Sequence, residues 1–129
     1  MPHEKILLVD DSRMVLKFHS LILRQAGYEL EVAENGYLAL ETLMKSKFHL
    51  IVTDVNMPKM DGYALVAKIR GMDEYKSTPI IMVSTESETQ DLTRGITAGA
   101  NSYLFKPVDA DSLLTQINML LAKSRKMAV

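Results

Sequence analysis

Short apolar runs alternate with segments of helical periodicity five times along the chain. Lys5 to Val9 reads as a buried strand. Ser12 to Gln25 follows as a helix, with Met14, Val15, Phe18, Leu21 and Ile22 at helical spacing. Gly27 is its expected C-terminal stop. Tyr28 to Ala33 is a strand with Leu30 and Val32 on one face and Glu29 and Glu31 on the other, as at a sheet edge that meets water. Asn35-Gly36 begins a second helix that carries Leu40, Leu43 and Met44 inward, and Phe48 to Thr53 is the third strand. Asp61 caps a third helix, whose Leu65, Ile69 and small Ala64 and Ala67 are expected to face the sheet. Pro79 opens a fourth strand, Ile80 to Val83. The helical segment Glu88 to Ala98 is poor in apolar residues, with Leu92 and Ile96 as its large inward candidates. Asn101 to Phe105 is the fifth strand, and Asp109 caps a last helix striped by Leu113, Leu114, Ile117, Leu120 and Leu121. Lys123, Arg125 and Lys126 sit at its end, where cations favour the helix dipole.

This alternation with short loops implies an α/β fold: a (βα)5 doubly wound parallel five-stranded sheet, helices on both faces, right-handed crossovers. The expectation is one domain over residues 1–129, with no output domain after the last helix. An apolar share of 47% beside 24% charged residues suits a globular core. The absence of cysteine excludes disulfides, thiolate metal sites and a cysteine nucleophile. A net charge of −1 gives no electrostatic reason for nucleic acid or anionic membrane as partner. No apolar run approaches the ~20 residues needed to span a bilayer. The start, Met1-Pro2-His3-Glu4-Lys5, lacks a signal-peptide core, so a cytoplasmic location is expected.

In open parallel sheets, function gathers outside the carboxyl ends of the strands. Those ends read Asp10-Asp11, Asp54, Ser84-Thr85 and Lys106-Pro107; only the second strand ends without obvious chemistry. If the first and third strands are neighbours, three carboxylates converge on one rim, and their repulsion calls for a cation. That makes a cation site with a nucleophilic oxygen beside it. Oxygen-only ligands with room for water suit Mg²⁺, with Mn²⁺ as a substitute. Alone, each motif has a plainer reading: Asp-Asp-Ser as a helix cap, Asp54 as a turn acid, Lys106-Pro107 as a strand terminator. His3, His19 and His49 lack metal-ligand spacing and read as structural or exposed, and the nine methionines are scattered as core and loop filling.

The motifs VDDS at Val9 to Ser12, TDVNMPKMDG at Thr53 to Gly62, MVST at Met82 to Thr85 and FKP at Phe105 to Pro107 span nearly the whole chain. In this order, each at a strand end, they resemble the receiver domain of two-component response regulators, in particular its stand-alone, CheY-like members. The resemblance implies a flavodoxin-like, CheY-like fold with strand order 2-1-3-4-5. It implies Asp54 as phosphoryl acceptor and a divalent metal on Asp10, Asp11, Asp54 and the backbone carbonyl of Asn56. It implies Ser84 on a phosphoryl oxygen and Lys106 on the acceptor group. It also implies that Ser84 moves toward the phosphoryl group while Tyr103 turns inward, altering the surface of the fourth helix, fifth strand and fifth helix. Asn56 and Glu86, the residue types found there in chemotaxis members, would tune phosphoryl lifetime. Elementary chemistry agrees: a carboxylate accepts a phosphoryl group when nearby cations neutralise the phosphoryl oxygens, and a lysine tolerates rotation of that group.

The implied function is a phospho-accepting switch, not an enzyme beyond its own phosphorylation and dephosphorylation. Its donor would be a sensor histidine kinase and its target a separate protein, such as a motor switch in chemotaxis. A phosphorelay shuttle or an adaptor outside chemotaxis is the alternative within the family. Two rivals lie outside it. A flavodoxin-type electron carrier would find its FMN phosphate repelled by Asp10 and Asp11. An aspartate-nucleophile phosphohydrolase would place a second Asp where this chain has Asn56.

Overall fold

The computed structural model describes residues 4–85 and 89–127. Five strands, Lys5–Val9 (β1), Glu29–Ala33 (β2), Leu50–Asp54 (β3), Ile80–Ser84 (β4) and Ser102–Phe105 (β5), form one parallel sheet in the order β2-β1-β3-β4-β5. Helices Arg13–Gln25 (α1), Gly36–Lys45 (α2), Gly62–Arg70 (α3), Thr89–Ala98 (α4) and Ala110–Met127 (α5) link them, with a short 3₁₀ turn at Asp73–Tyr75. The expected fold class and strand order are those observed. Among the described residues, no helix is long and apolar enough to cross a membrane.

Alternation along each central strand divides the core in two. Leu7, Val9, Ile51, Ile80 and Met82 pack toward Ala39 and Leu43 of α2 and Leu65, Val66 and Ile69 of α3. Ile6, Leu8, Leu50, Val52, Ile81 and Val83 pack toward Leu16 and Leu23 of α1 and Leu113, Ile117 and Leu121 of α5. Both faces are covered, so β1, β3 and β4 are nearly continuous apolar runs. β2 is an edge strand, as its alternation indicated.

Ser12 caps α1, Asn35 caps α2 and Asp61 caps α3, each accepting from a backbone N–H three residues on. The buried faces depart from the sequence reading. On α1 the inward residues are Leu16, His19 and Leu23, while Met14, Phe18 and Leu21 are exposed. Both sets recur at helical spacing, on opposite sides of the helix, so periodicity alone could not choose between them. On α2, Met44 is exposed and Ala39 lies inward with Leu43; on α3, Ala64 and Ala67 are exposed, and Tyr63 and Val66 take the inward places. On α4, Leu92 and Ile96 are exposed and Gly95 is the buried residue. Close approach explains this last case: a Cβ on Gly95 would lie 2.8 Å from Tyr103 Cδ2.

Candidate functional site

Register brings the acids together. Val9 pairs with Thr53, so Asp10 and Asp54, each one residue further, leave the sheet side by side. Asp54 in turn pairs with Val83 and Ser84 with Phe105, which puts Ser84 and Lys106 on the same rim. Ligand oxygens of Asp10, Asp11 and Asp54 all lie within 4.8 Å of one another. Asp10 and Asp54 are buried and Asp11 is exposed, so the cluster opens to solvent on one side.

Lys106 Nζ reaches Asp10 Oδ2 at 2.9 Å and Asp54 Oδ1 at 3.2 Å. Asp10 Oδ1 accepts the Ser12 N–H at 2.9 Å, and Asp54 Oδ1 accepts the Val55 N–H at 2.9 Å. Burial, with the Asp10 charge beside it, holds the Asp54 carboxyl above its ordinary range, and Lys106 only partly offsets this. Burial by itself would lower the Lys106 ammonium, but the Asp10 hydrogen bond and charge, then those of Asp54, leave it raised. Among the described residues one cation, Lys106, stands beside three acids, so the site keeps a net negative charge. Its all-oxygen donor set fits a hard divalent ion, which would be held by Asp10, Asp11 and Asp54.

Ser84 is fully buried at the end of β4, and its carbonyl accepts the Lys106 N–H at 2.7 Å. Thr85 and Asn56 are exposed on the loops that follow β4 and β3. Tyr103 is already turned inward: it is buried under α4, with its hydroxyl 3.3 Å from that of Tyr63. Glu86 lies outside the described residues.

Two features of the site were not foreseen. His19 is buried beside it, between α1 and the sheet, where burial pulls its imidazole below the ordinary 6.5, with Asp10 opposing and Lys106 assisting. Between the two pKa values the unfolded chain binds more protons, so His19 contributes stability that is lost as pH falls below 6.5. His19→Gln is expected to flatten the stability profile below pH 6.5, read by urea unfolding; an unchanged slope would show that His19 does not titrate differently on folding. The second feature is the outer face of α1. Met14, Phe18 and Leu21, with Val32 of β2, line an open apolar groove of about 760 Å³ bordered by Arg13, Lys17 and Arg24. Met14 and Phe18 also border a second groove, about 550 Å³, that reaches Thr85, Lys106 and Pro107 at the rim. The signal was in the sequence, as surplus apolar residues on α1, and was assigned to the core.

A family model of the response regulator receiver domain matches residues 6–118. The chain is 30% identical, over 97% of its length, to the transcriptional regulatory protein SrrA of Staphylococcus aureus, and it spans only 51% of that relative. It is 38% identical to the chemotaxis protein CheY4 of Vibrio cholerae, with a TM-score of 0.89 over 92% of this chain and 99% of that one. The receiver domain of the sensor histidine kinase PA1611 of Pseudomonas aeruginosa, whose structure has magnesium in the active-site cleft, is 26% identical with a TM-score of 0.86, covering 94% of this chain and 99% of that one. With sheet order, rim residues and family model in agreement, the chain belongs to the response regulator receiver domains of two-component systems.

Proposed function

We propose that this protein is a phospho-accepting switch that takes a phosphoryl group from a histidine kinase onto Asp54 and signals through α4, β5 and α5. The observation that carries this reading is the convergence of Asp10, Asp11 and Asp54 with Lys106 on one rim. Asp54 Oδ1 is anchored by the Val55 N–H and the Lys106 ammonium, so attack on phosphorus is assigned to Oδ2. The O–P bond forms as the N–P bond of the donor phosphohistidine breaks, and the leaving imidazole recovers a proton from solvent. Lys106 stays within reach of the charge carried onto the acceptor. A Mg²⁺ ion held by Asp10, Asp11, Asp54 and the Asn56 carbonyl, the set that the family resemblance implies, would neutralise the phosphoryl oxygens. Ser84 and Tyr103 form the switch, and Asn56 with Glu86 tunes the lifetime of the phosphoryl group.

Incubation with acetyl phosphate and Mg²⁺ tests this reading: a base-labile phosphoryl group mapped to Asp54 supports it. Turnover of external phosphate esters would support the phosphohydrolase rival instead. A chemotaxis target is favoured by the likeness to CheY4, whereas the SrrA match favours a receiver that serves a transcriptional output. Capture of partners with and without beryllofluoride separates the two.

A protein donor must bring its phosphohistidine to this rim, and the apolar face of α1 adjoins it through Met14 and Phe18. We assign that face to donor docking: Arg13 is paired with Glu34 at the groove's edge, and Lys17 and Arg24 leave an excess of positive charge that favours an acidic partner surface. Phe18→Ala is expected to slow transfer about tenfold from whichever phosphorylated kinase labels the wild type fastest, while labelling by acetyl phosphate is unchanged. Equal slowing with both donors would place the effect in the site and not in docking.

A further inference from the structure

α4 is held over the sheet by little apolar contact. Its buried residue is a glycine, and its large apolar side chains, Leu92 and Ile96, face outward. Beside the packing of Gly95 on Tyr103 and Met82, it is fastened by Tyr63, from the first turn of α3. The Tyr63 ring lies under the Arg94 guanidinium of α4, 4.2 Å from its centroid, and Arg94 also reaches the capping carboxylate Asp61 at 4.0 Å. The Tyr63 hydroxyl donates to the Asp91 carbonyl of α4 at 3.4 Å and stands 3.3 Å from the Tyr103 hydroxyl. If Tyr63 donates to Asp91, Tyr103 donates to Tyr63, and the hydroxyls form a chain in which each bond polarises the next. One side chain therefore touches both α4 and β5.

The same side chain is fastened to the acceptor. Gly62, its neighbour in the chain, donates its N–H to the Val55 carbonyl at 2.7 Å. A Cβ on Gly62 would come within 2.3 Å of the Asp54 carbonyl oxygen. The start of α3 thus rests directly on the Asp54–Val55 peptide, with no slack to absorb a shift of that peptide.

We propose that Tyr63 is a positioning residue that couples the acceptor peptide to α4 and to Tyr103, and that its hydroxyl holds Tyr103 in the inward state. This is a route through α3, separate from the one through Ser84. It rests on the reading of Asp54 as acceptor and Tyr103 as switch. Because inward Tyr103 belongs to the phosphorylated state in that reading, the hydroxyl pair biases the protein toward it, and a phosphoryl analogue binds the biased population more tightly.

The test is a beryllofluoride titration of the full chain in Mg²⁺, followed by NMR of α4 backbone amides, for the wild type, Tyr63→Phe, Tyr103→Phe and the double variant. Each change removes one oxygen, and thermal melting of the variants confirms the fold. Tyr63→Phe is expected to raise the titration midpoint about three- to tenfold, the value of the bond to Tyr103, and to reduce the α4 shifts, where the bond to the Asp91 carbonyl is lost as well. In the Tyr103→Phe background its effect on the midpoint is expected to be smaller than in the wild type, because only the bond to the Asp91 carbonyl remains to be lost. A midpoint and α4 shifts unchanged in Tyr63→Phe, or two single effects that add fully, would overturn the proposal while leaving the acceptor reading intact. A wild type that fails to respond, or an Asp54→Asn variant that responds equally, would overturn the acceptor reading and this inference with it.

Discussion

Asp54→Asn is expected to take up no label from acetyl phosphate in Mg²⁺, a loss of roughly two orders of magnitude or more against the wild type. The amide cannot act as the nucleophile that a carboxylate oxygen provides, and among the described residues no neighbouring acid occupies its place: Asp10 is engaged by Lys106 and Ser12, and Asp11 is exposed. Unfolding will not account for the loss. The folded pKa of Asp54 is raised, so its ionisation costs stability as pH climbs from 3.8 through the raised value, and that cost is complete above it. Replacing the acid with a neutral isostere removes this cost, in which burial and the Asp10 charge outweigh the Lys106 contact and the Val55 N–H. The variant should therefore melt no lower than the parent in the absence of divalent metal. Labelling of Asp54→Asn at the parental rate would end the acceptor reading.

The second large effect is expected at Gly62. Its absent side chain is the reason α3 can start against the acceptor peptide: a Cβ would meet the Asp54 oxygen at 2.3 Å and Val55 Cα at 2.8 Å. Both are backbone atoms of the segment that carries the nucleophile, so no rotamer change relieves the clash. Gly62→Ala should cost about 2–4 kcal/mol in urea unfolding and also slow labelling, since Asp54 is displaced from Lys106. Asp61→Ala provides the comparison, because loss of a helix cap costs only about 1 kcal/mol and leaves the Asp54 peptide in place. Equal stability losses for the two variants would show that the clash is absorbed elsewhere.

Gly62 also shows where sequence reading stopped. It was legible only as the last residue of the Thr53 to Gly62 motif, and its role depends on which peptide lies across from it. The same holds for Tyr63, which carries no mark in the sequence to separate it from any aromatic on a helix. Its importance comes from three elements meeting at one hydroxyl. On α1, the chain offers two apolar stripes, and only docking on β1 and β2 selects Leu16, His19 and Leu23 as the buried one. Arg70 is a further case: a half-buried guanidinium satisfied by the carbonyls of Tyr75, Thr78 and Gly99 and by Asn101, with nothing in its local sequence to suggest it.

Strand ends, by contrast, are local features. An apolar run that stops at Asp10, Asp54, Ser84 or Lys106 announces both the strand and the residue on its rim, so fold class, strand count and the rim residues could be read from the chain alone. Those properties depend on neighbours a few positions away. The pairing of Val9 with Thr53, the reach of Lys106 to two acids, the exposed face of α1 and the hold of Tyr63 on α4 were decided by tertiary structure. Each is a relation between distant segments, set by sheet register and by competition for the buried faces, which periodicity within one segment does not encode.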